Sequence, residues 1–150
     1  MLDQPKIINT ISKATVIGTM IVFVTNIACL AICFVGTEDK ARPEEYGPLT
    51  IILGAIALIE LGIGFYIKRK LMAPLHAANQ TPSDDLLWQV ALKTTIALAA
   101  ICAAIPLYGL VAVIIEGNIN AMVGFAIVSL AGFLFLRLRP RDFSKLEYDN

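Results

Sequence analysis

The chain has 150 residues, of which 57% are hydrophobic and 16% charged, against ~25% charged in an average soluble domain. That is too little charge to keep a folded soluble surface dispersed, and a formal net charge of zero offers nothing to attract nucleic acid. The charges are swept out of four long apolar runs, which predicts an all-α fold: an integral membrane four-helix bundle of two antiparallel transmembrane hairpins, forming a single membrane domain over residues 1–150.

The first run, residues 14–35, carries no charge. It exceeds the ~7–15 apolar residues of a signal peptide and lacks a small-residue cleavage pattern, so it reads as a retained helix. The polar turn Gly36-Thr37-Glu38-Asp39-Lys40-Ala41-Arg42-Pro43 ends it. Residues 48–67 then open on Pro48, which suits a helix's first turn because its missing N–H is not needed there. The third run, 94–115, follows Thr81-Pro82-Ser83-Asp84. That tetrad predicts Thr81 as N-cap and Pro82 as first helical residue, so this helix should start well before the membrane. Pro106 should kink it and leave one backbone carbonyl, near Cys102, without its helical partner. The fourth run, 119–136, is separated from the third by Glu116-Gly117-Asn118, a link so short that these two helices must be antiparallel neighbours.

Each run is close to the ~20 residues that cross a ~30 Å hydrocarbon core as a helix. Membrane strands are shorter, ~9–11 residues, and alternate polar with apolar; these runs do not alternate. Helices also satisfy their own backbone in lipid.

Charge sets the expected orientation. Ten of the twelve Lys and Arg fall on one side: Lys6, Lys13, Lys68, Arg69, Lys70, Lys93, Arg137, Arg139, Arg141 and Lys145. Lys40 and Arg42 fall on the other, with the acidic residues Glu38, Asp39, Glu44 and Glu45. Positive charge stays inside, so both termini and the middle loop should be cytoplasmic. The basic groups read first as anchors for helix ends among lipid headgroups.

Glu60 is the one charge well inside an apolar span. An ionisable group there costs ~2.5–3.5 kcal/mol on insertion scales and marks a candidate site. It reads either as a hydrogen-bonding link between helices or as a site for a proton or ion. Equal depth below the basic side nominates its partners. Glu60 should face the bundle and bond at least one of Ser129, Asn26 or Thr19, and these four residues form the candidate intramembrane polar site. On the first helix Thr15, Thr19, Asn26, Cys29 and Cys33 recur at helical spacing and should share a face. Small residues do the same at Ala57 and Gly64, at Ala97, Ala100 and Ala104, and at Gly124 and Gly132, which would let helices approach closely.

No catalytic constellation, cofactor motif or metal-ligand spacing occurs. Cys29, Cys33 and Cys102 read as buried thiols acting as small hydrophobes. The single histidine, His76, reads as a solvated loop residue. Catalysis is therefore not expected, and no cofactor is called for.

The stretch Ala103-Ala104-Ile105-Pro106-Leu107-Tyr108-Gly109-Leu110-Val111 resembles a segment of rotary-ATPase proteolipid subunits. That family places a membrane carboxylate where this chain has Ala103, and its Gly-repeat helix and Arg-containing hairpin loop have no match here. Across its length the chain is similar to small bacterial four-helix inner-membrane proteins. The shared features are Tyr108-Gly109-Leu110-Val111, the Glu116-Gly117-Asn118 turn and Arg139-Pro140-Arg141. That resemblance implies the four-helix membrane fold in a bacterial inner (plasma) membrane, and no particular activity.

The longer loops, 37–47 and 68–89, are too short to build a soluble active site. The leading expectation is a non-enzymatic subunit or assembly component of a larger membrane complex, with protein partners in the bilayer or copies of itself. The alternative is proteolipid-like proton or ion translocation by a homo-oligomer through Glu60.

Overall fold

Helix formation overruns the predicted spans at the basic end. The computed structural model describes residues 4–36, 47–77 and 83–143. It contains α1 (Gln4–Gly36), α2 (Pro48–Ala77), α3 (Asp84–Glu116) and α4 (Ile119–Leu136), then a 3₁₀ turn at Pro140–Asp142. Among the described residues there are no strands. All four helices are long and apolar enough to cross a membrane.

The helix ends follow local chemistry. α3 is capped by Ser83, whose Oγ accepts from Leu86 N–H at 3.3 Å, and Asp84 and Asp85 occupy its first turn. The cap expected at Thr81 is thus found two residues later; Thr81 and Pro82 lie outside the described residues. A Ser oxygen within reach of the third amide, with two carboxylates facing the positive helix end, makes the better start. α3 stops at Gly117, which takes φ 74° and donates its N–H to Val113 O at 2.8 Å. That left-handed conformation is open to glycine at no steric cost. Asn118 then caps α4 through Asn120 N–H at 3.0 Å. His76 falls in the last turn of α2 rather than in a loop. The acidic loop lies largely outside the described residues.

α3 is the hub. It packs against α1, α2 and α4, and α1 and α2 also reach α4, but α1 and α2 do not approach each other's backbones. α3 lies between α1 and α2, and α4 packs mainly on α3 and touches the outer two helices more lightly. The third and fourth helices form the expected hairpin. The first two run antiparallel but are held apart by the pair between them.

The core is layered. At the basic end Ile7, Ile11 and Ala14 of α1 meet Met72 and Leu75 of α2, Leu87, Val90 and Ala91 of α3, and Leu138 and Phe143. The middle holds Val22, Leu98, Cys102, Phe133 and Leu136. At the far end Cys29 and Cys33 pack with Val113 and Met122. The 18-residue α4 is ~27 Å long at 1.5 Å per residue, just short of the ~30 Å core. The 33-residue α1 and α3 reach ~50 Å, and their surplus lies at the basic end, where the first layer forms. There water drives burial at ~25 cal/mol per Å² of apolar area. Deeper in lipid that drive is absent, and close packing must hold the helices.

Glycines supply that closeness. A methyl at Gly18 would stand 2.6 Å from both Phe133 and Thr95, and one at Gly132 would stand 2.5 Å from Leu61. Gly64 lies against Leu136 in the same way, whereas Gly124 has nothing within 4 Å. The small-residue face expected at Gly124 and Gly132 is therefore divided: Gly132 packs inward and Gly124 faces outward. Outward side chains are apolar, such as Val35 and Ile114, as a lipid-facing perimeter requires.

Candidate functional site

Pro106 has no N–H to donate, so the carbonyl of Cys102, four residues earlier, loses its helical partner. Ser129 Oγ on α4 donates to that carbonyl at 2.7 Å. Asn26 Nδ2 on α1 donates to Ser129 Oγ at 3.1 Å and to Val22 O at 2.8 Å. A polar chain thus ties α1 to α4 and α4 to α3 at the gap that proline opens. Asn26, Ser129 and Cys102 are all buried, so each bond is shielded from competing water.

Glu60 is not part of that chain. It faces the bundle, half-buried at the seam between α2 and α3, where Tyr108 Oη donates to Glu60 Oε1 at 2.5 Å. Its expected partners were Ser129, Asn26 or Thr19, and none of them bonds it. The correction has a geometric cause. Side chains on a helix lean toward its N-terminus, and α2 and α3 run in opposite directions. Glu60 therefore leans away from the basic end while Tyr108 leans back toward it, and the two tips meet although their backbones differ in depth. Glu60 Oε2 is buried and has no protein partner among the described residues.

Thr19 is a second correction. It is exposed, and its hydroxyl donates to Thr15 O at 2.8 Å within α1. Gly18 holds the packed face, and one residue further turns ~100° around the helix, so Thr19 points outward. Asn26, Cys29 and Cys33 do face inward, as expected. All three cysteines are buried and none forms a disulfide.

Glu116 was read only as part of a turn, and it does more. Its carboxylate accepts from Leu49 N–H at 2.8 Å and Thr50 N–H at 3.3 Å, and also takes the Thr50 hydroxyl. The end of α3 thereby caps the start of α2, placing an anion where free amides point. A methyl at Gly47 would collide with this carboxylate. The sequence signal was a carboxylate at the same bundle end as Pro48. Glu116→Ala is expected to speed hydrogen exchange at Leu49 and Thr50, since it leaves both amides without their side-chain acceptor. Unchanged protection at those amides would remove the cap from the account.

At the opposite end Lys68 pairs with Asp142 at 2.7 Å and donates to Arg137 O at 3.2 Å. Asp142 also accepts from Arg139 N–H at 2.7 Å. The turn after α4 is thus pinned to α2. Among the described residues no group of His, Cys, Asp and Glu could hold a metal ion.

Comparison with known proteins finds no matching family model, no matching curated protein and no matching solved structure.

Proposed function

We propose that this chain is a non-enzymatic component of a larger assembly in a bacterial inner membrane, with both termini cytoplasmic. It receives a partner transmembrane helix along the seam of α2 and α3. The observation that carries this reading is Glu60 itself: one oxygen takes the Tyr108 hydroxyl, and the other is buried with no protein partner. A carboxyl left half-satisfied in an apolar setting is costly; because that oxygen is enclosed, a neighbouring subunit supplies the missing group by parting the α2–α3 seam. Beside it α3 carries Ala97, Ala100 and Ala104, with Ala100 exposed and the other two half-buried. Small side chains there let a partner backbone come close. The lopsided distribution of Lys and Arg supports the orientation.

The test is photo-crosslinking in native membranes from Ala100, with Val24 on the outer side of α1 as control. A discrete protein adduct from Ala100 and lipid alone from Val24 is the expected result. Lipid alone from both positions would defeat the reading.

Glu60 also favours a second reading, proton or ion movement by a homo-oligomer. A carboxyl with one hydrogen-bonded and one unpartnered oxygen can exchange a proton with a group that reaches it when the α2–α3 seam parts. In proteoliposomes Glu60→Gln would then lower flux at least ~10-fold, the equivalent of ~1.4 kcal/mol on the barrier. Equal flux in both proteins rules this second reading out.

A further inference from the structure

A groove of about 450 Å³ runs along the basic end of the bundle, between α1 and the segment that follows α4. Ile8, Val16 and Met20 form its α1 wall, and Leu138 and Pro140 form the other. Thr15 and Thr19 also line it, but Thr19 spends its hydroxyl on Thr15 O. Arg137 and Arg139 complete the lining.

Both arginines are exposed, and neither guanidinium forms an ion pair among the described residues. The nearest carboxylate in sequence, Asp142, already takes Lys68 and the Arg139 amide. Those same bonds hold the Arg137–Asp142 segment against α2, so the arginines are fixed at the groove's edge. Arg137 directly follows α4, whose ~27 Å nearly fills the hydrocarbon core, so both guanidinium groups stand at headgroup level. From Ser12 to Met20 the groove continues ~12 Å along α1, most of one leaflet of a ~30 Å core.

From this combination we infer that the groove binds one anionic phospholipid, with an acyl chain along α1 and its phosphate held by Arg137 and Arg139. Guanidinium groups match phosphate oxygens in bidentate geometry, and the apolar trough below them spans most of a single leaflet. A second protein helix fits less well, because the trough is short and ends in two like charges. The site is remote from Glu60 and does not depend on the assembly reading.

The test compares lipids retained by the full chain. The protein is placed in bilayers of equal phosphatidylglycerol and phosphatidylcholine, extracted in mild detergent and weighed by native mass spectrometry. One bound phosphatidylglycerol per chain, enriched at least ~5-fold over phosphatidylcholine, is expected, a ratio equivalent to ~1 kcal/mol. Arg137→Gln with Arg139→Gln should bring the ratio near unity while leaving the helical circular dichroism unchanged. Val16→Trp, which fills the trough and keeps both arginines, should lower retention of either lipid. Equal retention by the wild type, or enrichment that survives loss of both arginines, overturns the inference.

Discussion

Gly109→Leu is expected to force α4 away from α3 and lower the melting temperature by roughly 10 °C. A Cβ at Gly109 would stand 3.0 Å from the Met122 Cα and 3.0 Å from the Phe125 Cβ. These are a backbone atom and the root of an aromatic side chain, so neither can swing aside. Overpacking costs ~1–3 kcal/mol, and with a backbone neighbour the upper end applies. At ~2–4 °C per kcal/mol for a chain of this size, about 3 kcal/mol gives the stated shift. Gly124→Leu is the matched control, since nothing lies within 4 Å of that glycine. It should leave the melting temperature unchanged when both variants are unfolded in the same detergent. Equal effects from the two would show that the α3–α4 contact is looser than described.

The second large effect is conditional. Ser129→Ala is expected to cost about 2 kcal/mol in the native sequence, because it leaves the buried Cys102 carbonyl without a partner and unpaired buried groups cost ~1–3 kcal/mol. It also removes an acceptor from Asn26, which retains Val22 O. In a Pro106→Ala background the restored N–H at position 106 returns the helical bond to Cys102 O. The same Ser129→Ala change should then cost less than 1 kcal/mol. A double-mutant cycle measures the difference directly. An equal cost in both backgrounds would mean that Ser129 acts through Asn26 alone.

Much of the architecture could be read without coordinates, because it rests on length and on breakers. The four runs, Pro48 at a helix start and the Gly117 stop each express a local rule. So does the proline gap, since a missing N–H always orphans the carbonyl four residues back. The site was less legible because it depends on where side-chain tips arrive. Counting residues from the membrane edge ranks backbone depth, and it paired Glu60 with Ser129. Opposed helix directions instead brought Glu60 to Tyr108. Thr19 was misassigned because a one-residue step around α1 separates the packed face from the outer one. Glu116 was missed because its partners belong to a helix begun 68 positions earlier, at Pro48.

The hub position of α3 bears on how the protein is made. A ribosome delivers α1 and α2 before α3; those two helices make no close backbone contact, and the basic-end layer they share is filled by Leu87, Val90 and Ala91 of α3. The amides of Leu49 and Thr50 likewise wait for Glu116 at the far end of α3. During synthesis the first two helices are therefore independent bilayer-spanning segments, each stabilised by lipid alone. Arrival of the third converts them into a folded body in one step. Chains truncated before Asp84 should consequently be recognised by membrane quality-control proteases as unassembled, while those extending through Glu116 should persist.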